Sequence, residues 1–173
     1  MTSSSPEAWL RGPVPGIPGL LQPVAHALIQ ADDEISRIAS DLDIERLWTR
    51  PGAAAALGFH LAHLTGALDR LFSYARGDEL DPTQREQMAA ERTLHEDRPP
   101  LADLLAEWTR VKQQALAQLE ATDPNELFTL RFVGRARLPS TTLGLLFHAA
   151  EHTTRHVGQM VTTQKALAGV GGS

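Results

Sequence analysis

Apolar residues return at helical spacing in four stretches of the chain, and only one short segment alternates as a strand would. From Leu20 onward, Leu21, Val24, Leu28, Ile35, Ile38 and Leu42 recur at intervals of three, four or seven, with Asp32, Asp33 and Glu34 on an exposed turn. Pro23 fits only a first turn, so the pattern predicts a helix from about Gln22 to Asp41. Leu57, Leu61, Leu64, Leu68, Leu71, Phe72 and Ala75 predict a second helix, from about Ala53 to Arg76, stopped by Gly77. A third carries Leu101, Leu104, Leu105, Trp108, Val111, Ala115, Leu116 and Leu119, and ends before Pro124. The fourth carries Leu143, Phe147, Ala150, Val157 and Val161 on its inner face, is capped by Ser140 or Thr141, and ends before Gly169.

The intervening segments read as connections. Ile44 to Gly52 leads into the second helix. Residues 78–100 are polar and form a surface excursion, in which Asp81–Pro82–Thr83 starts a short helix through Leu94 and Arg98–Pro99–Pro100 ends it. Between Leu127 and Leu138 the alternation Phe128, Leu130, Phe132 and the pair Val133–Gly134 predict a small extended or hairpin-like loop carrying Arg131, Arg135 and Arg137. Four amphipathic helices without repeats predict an all-α four-helix bundle, an architecture that builds ligand sites from side chains on facing helices. The expected organisation is an extended Ser/Pro/Gly-rich lead over residues 1–19, one domain over 20–168, and a flexible tail over 169–173. In this bundle Trp48, Trp108 and Phe147 are expected in the core.

Charge and composition narrow the function. A net charge of −5 and a pI near 5.8 leave no basic surplus for a phosphate backbone, which disfavours nucleic acid as a partner. The prolines at 6, 13, 15 and 18 break up any N-terminal leader, and no later run approaches membrane-spanning length, so a cytoplasmic, small-molecule-binding protein is expected. With no cysteine, neither a disulfide, a thiolate metal site nor a cysteine nucleophile is available. Any chemistry rests on His, Asp and Glu.

Histidine is where the pattern becomes specific. Five of the seven lie in two segments, His60 and His63 on the second helix, His148, His152 and His156 on the fourth. Imidazole is the commonest side-chain metal ligand. Histidines four apart on one helix can converge on a zinc-like ion, whereas the outer two of three are about 12 Å apart along the axis. Only an adjacent pair can bind. On a wheel of about 100° per residue His156 lies at the edge of the apolar arc, His152 at its border and His148 beyond it, which favours His152 with His156. The third ligand is expected on the second helix, at His60 near the centre of that arc or at His63 on its flank, and periodicity does not choose between them. His26 and His95 have no partner at ligand spacing and are assigned to surface or packing roles.

Alternative chemistries fail on their own terms. His148–Ala149–Ala150–Glu151–His152 has the H-x-x-E-H form, but no Asp or Glu follows to complete an inverzincin site. A di-iron bundle needs Glu-x-x-His pairs, and the chain contains none. No serine sits in a nucleophile-elbow context and no glycine-rich phosphate loop is present.

Trp48–Thr49–Arg50–Pro51, Gly58–Phe59–His60–Leu61–Ala62–His63–Leu64, Asp69–Arg70–Leu71, Tyr74–Ala75–Arg76–Gly77, and His148–Ala149–Ala150–Glu151–His152 with Arg155–His156–Val157–Gly158–Gln159 together resemble the DinB/YfiT-like superfamily of metalloproteins. The resemblance covers essentially the whole chain. It implies a bundle of up-down-down-up order and a divalent ion, often nickel or zinc, held by one His of the second helix and an H-x-x-x-H pair of the fourth. Carried onto this sequence, the pair is His152 and His156, since His156 precedes Val157–Gly158–Gln159. The register of Asp69–Arg70 favours His63, with His60 as the alternative.

The same resemblance implies a metal-dependent enzyme that activates a low-molecular-weight thiol, such as bacillithiol or mycothiol, or water, for S-transfer or related chemistry. The alternative it leaves is a non-catalytic metal-binding bundle in a stress response, acting as a binding or dimeric interaction protein. A homodimer is expected at family level. Glu151 is a candidate catalytic group, although with Arg155 it also reads as a solvated intrahelical ion pair. Arg131 and Arg135 are candidates to clamp a carboxylated thiol cofactor if their loop overhangs the site, and otherwise are solvated.

Overall fold

A computed structural model describes residues 6–40 and 42–170 of the chain. Four long helices make the body: α1 (Gln22–Ala39), α3 (Leu57–Arg76), α6 (Leu101–Ala121) and α7 (Thr142–Val170). Between them lie α2 (Ile44–Trp48), α4 (Pro82–Ala90), α5 (Leu94–Asp97) and a hairpin of β1 (Leu130–Val133) and β2 (Leu138–Thr141). The predicted end of the first helix at Asp41 lies outside the described residues.

The long helices form a ring in the order α1, α7, α3, α6, and side-chain contacts fix each direction. Gln164 donates to the carbonyl of Ile38, while Phe147 and Thr154 face Pro23 and Ala27, so α1 and α7 run parallel. His60 meets His156 and Thr142 reaches the carbonyl of Ala75, so α3 and α7 are antiparallel. Ala62 and Leu104 line one cavity and Gln118 donates to the carbonyl of Phe72, so α3 and α6 are parallel. Asp32 accepts from Trp108 and Gly16 abuts Glu120, which sets α6 antiparallel to α1. This is the up-down-down-up order. Parallel α3 and α6 require the chain to return along the bundle, and α4 and α5 make that return.

Sequence explains most element ends. Gly77, at φ 89°, closes α3 in the left-handed conformation that only glycine adopts without cost. Asp81 and Gln84 form a reciprocal capping box on α4. Thr141 Oγ1 accepts the Gly144 amide at 3.0 Å and so caps α7. The hairpin pairs Leu130 with Thr141 and Val133 with Leu138 across a four-residue turn in which Gly134 takes φ 65°. Leu28, Ile35, Leu61, Leu64, Trp108, Leu119 and Leu146 are fully buried where the helices meet. Each such side chain contributes roughly 1.5–3 kcal/mol relative to exposure.

Several expectations are corrected. The second long helix starts at Leu57 rather than Ala53, because Gly52 (φ 62°) turns the chain and Ala56 is still extended. Ile44–Trp48 is itself helical, with Asp43 accepting from the Arg46 amide. The last helix continues through Gly169 to Val170. Phe147 is not in the core: it is 61% exposed, and the inner stripe instead runs through Leu146, Ala149, Thr153, Val157 and Met160. Thr153 can occupy its centre because its hydroxyl is satisfied by the Ala149 carbonyl of its own helix. Asp32 does not lie on a free turn, since Trp108 Nε1 (2.8 Å) and Lys112 Nζ (2.6 Å) hold it against α6.

Residues 6–21 lie along α1. The Gln22 side chain bonds the backbone of Val14 and Ile17, Gln30 accepts the Ala8 amide, and Arg11 pairs with Asp33.

Candidate metal centre

Three of the predicted residues come together where α3 and α7 cross. His63, His152 and His156 each offer a nitrogen, and these nitrogens lie within 4.8 Å of one another. Nitrogens bound about 2.0–2.1 Å from one ion are at most about 4.2 Å apart, so small side-chain rotations place all three on it. Antiparallel packing of the two helices causes the convergence. His152 and His156 lie one turn apart on α7, and their ring centroids are 4.5 Å apart and 5.2 and 4.8 Å from that of His63. Among the described residues no fourth His, Asp or Glu joins the group. The His63 side chain remains 25% exposed, so the cluster is open on its outer side.

Neighbouring side chains hold the outer nitrogens of two rings. Glu91 Oε2 lies 2.7 Å from His63 Nδ1, and its other oxygen is 2.8 Å from Arg70. His60, buried behind the cluster, places its Nδ1 3.0 Å from His156 Nδ1. His152 differs. Its Nδ1 is buried with no hydrogen-bond partner, an arrangement that costs about 1–3 kcal/mol unless a ligand completes it.

At His156, His152 and His60 the electrostatics favour neutral imidazole, the form with a free lone pair. Burial pushes His156 down to about 4, and the nearby positive charge that His152, His63, His60 and Arg155 would present adds to it. His152 is lowered first by burial, then by His63 and His148, and His60 by burial and then His63. For Glu91, burial acts to raise the pKa, but the His63 hydrogen bond and the charge and hydrogen bond of Arg70 outweigh it, so the carboxyl lies below its usual range. A carboxylate held ionised beside His63 is the acceptor that a ligating imidazole needs on its far nitrogen.

Other candidates lie elsewhere. His60 packs behind His156 rather than within the cluster. His148 is 52% exposed at the rim, its ring 5.9 Å from that of His152. Glu151 is bound to Arg155 at 2.5 Å on the exposed side of α7 facing α1. Arg131 donates to the Ala75 carbonyl at 2.9 Å and pairs with Glu126, and Arg135 lies in the hairpin turn; both sit at the far end of α3. His63 and Ala75 are twelve residues apart, about 18 Å along the helix, so the hairpin does not overhang the cluster. His26 bonds the Gly12 carbonyl, and His95 stacks on Phe59 (6.0 Å, 5°) and meets Trp48 edge-on.

Sequence reasoning missed Glu91, Arg70 and the stacking role of Phe59, whose ring lies 5.6 Å from His63 and parallel within 4°. Glu91 has no periodicity to mark it. Only the register of the crossover against α3 reveals it.

The fold and the cluster define a four-helix bundle of up-down-down-up order with a three-imidazole site open between two antiparallel helices. Residues 27–160 match the DinB superfamily, and the chain belongs to it. A crystal structure of the conserved protein of locus from Enterococcus faecalis is similar, with a TM-score of 0.70 at 16% identity over 86% of this chain and 97% of that one. At that identity the likeness shows the shared fold. Among curated protein sequences none matches. No helix among the described residues is long and apolar enough to cross a membrane.

Proposed function

We propose that this chain is a metal-dependent enzyme in which His63, His152 and His156 hold one divalent ion, nickel or zinc, and present it to a low-molecular-weight thiol or to water. The observation that carries this is three imidazoles whose nitrogens gather within 4.8 Å of one another with no fourth protein ligand among the described residues. A closed structural site fills all four positions, whereas a catalytic one keeps a position free. The orphaned Nδ1 of His152 and the held outer nitrogens of His63 and His156 fit such an ion. When bound, the ion supplies Lewis acidity that holds a thiol as thiolate or brings a bound water's pKa to about 7.

The protein's own groups do the rest. Glu91 and His60 fix two ring planes, and the walls of α3 and α7 screen the inner side from water. The partly exposed His63 marks the solvent-facing side. In S-transfer the thiol proton leaves to solvent, the sulfur forms a bond to an electrophilic carbon, and the displaced group departs with its bonding pair. The absence of cysteine in the chain fits a sulfur nucleophile that comes from outside.

The test is a coupled assay of nickel- or zinc-loaded protein with a panel of cellular thiols and a chromogenic electrophile, run beside His156→Ala. Thiol-dependent turnover above background that disappears in the variant is the expected result. Equal rates for the two, with metal bound only to the wild type, would leave a non-catalytic metal-binding bundle.

A further inference from the structure

We propose that Glu91, carried on the crossover between α4 and α5, is the positioning residue that fixes His63 as a metal ligand, through the geometry of its contacts with His63, Arg70 and Gly66. The inference rests on reading His63, His152 and His156 as the metal centre. A neutral imidazole carries one N–H, and the nitrogen bearing it cannot bind an ion. With its carboxylate 2.7 Å from Nδ1 of His63, Glu91 requires that proton on Nδ1 and leaves the lone pair on Nε2, the nitrogen on the other side of the ring.

The surroundings show a built arrangement rather than a chance surface pair. Glu91 and Arg70 are 16% and 11% exposed, and their pair lies over Gly66. A Cβ at Gly66 would sit 2.8 Å from Arg70 Nη1 and 3.1 Å from Glu91 Oε1, so the glycine makes room for the pair. On one side of Glu91, Gln84 locks α4 to α3 through Asp69 (2.6 Å) and Ser73 (2.8 Å). On the other, His95 stacks on Phe59, and Phe59 stacks on His63. The crossover that topology demands thus grips the His63 ring at its outer nitrogen and through Phe59 at its face.

Zinc affinity measured by competition with a chromophoric chelator, together with the His63 tautomer read from side-chain 15N shifts of the metal-free protein, tests this. Glu91→Ala is expected to weaken zinc binding about 10–100-fold and to move the His63 proton toward Nε2. Glu91→Gln, whose carbonyl still accepts from Nδ1, is expected to keep the tautomer and most of the affinity, and guards against a merely misfolded variant. An unchanged tautomer in Glu91→Ala, with zinc affinity within about threefold of wild type, would overturn the proposal. His152→Ala is the control for the metal centre itself: undiminished zinc binding there would sink that reading, while the tautomer, measured without metal, would still decide the role of Glu91.

Discussion

His152→Ala separates metal binding from folding more cleanly than any other substitution in the cluster. The ring is half-buried and its Nδ1 has no partner, a standing penalty of about 1–3 kcal/mol. Truncation removes that penalty and forfeits packing on the order of 1–2 kcal/mol. The two largely offset, so the metal-free variant should melt within about 8 °C of wild type, given roughly 2–4 °C per kcal/mol for a domain of this size. The metal response should differ sharply. At a free ion concentration 100 times its Kd, binding stabilises the folded state by about 2.7 kcal/mol, which corresponds to about 5–11 °C for wild type. Scanning fluorimetry with chelator and then with zinc or nickel reads both quantities, and elemental analysis gives stoichiometry. A variant that keeps the metal-induced shift would refute the ligand assignment. One that loses more than about 3 kcal/mol before metal is added would show that the ring is structural.

The metal-free protein should lose stability on acidification. His156, lowered to about 4, takes up its proton in the unfolded chain near its ordinary value of 6.5, so stability is full above that value and falls as pH drops toward 4; His60 and His152, also lowered, act in the same direction. Chemical denaturation between pH 8 and 4 measures this, and a flat profile would contradict the burial of these rings. At Gly58 an added Cβ would lie 2.7–2.9 Å from three atoms of the buried Trp48 ring, whose Nε1 donates to the Pro99 carbonyl. Gly58→Val is therefore expected to cost at least about 2 kcal/mol in urea denaturation and to shift tryptophan fluorescence. Arg131→Ala should loosen the hairpin by about 1.5–3 kcal/mol without changing zinc affinity, and Glu151→Gln should leave both affinity and turnover unchanged; a tenfold fall in thiol affinity in Arg131→Ala would restore the clamp.

The bundle was legible because each long helix carries an apolar stripe at helical spacing. The His152–His156 spacing was legible because i, i+4 geometry is local. What the pattern hid was set by tertiary register. Thr153 satisfies its own hydroxyl and therefore occupies the core stripe that the apolar count assigned partly to Phe147. His60 and His63 both read as helix-two ligands, and only the position of α7 divides them, with His60 behind His156 and His63 facing it. Glu91 looked like one more acidic residue in a polar excursion. Its partner is 28 residues away and on another helix, a distance at which no periodic signal exists.

Arg131 of the hairpin and Thr142 at the start of α7 both meet the Ala75 carbonyl and clasp α3 to α7 at one end, while the imidazoles sit about 18 Å further along. The clasp is then a fulcrum and the two helices are lever arms. A change of about 3° in their crossing angle moves the ligands about 1 Å relative to one another over that length, comparable to the contraction that an ion would impose. A slight scissoring of the two helices about that clasp would therefore bring the rings together as effectively as rotation of the side chains themselves.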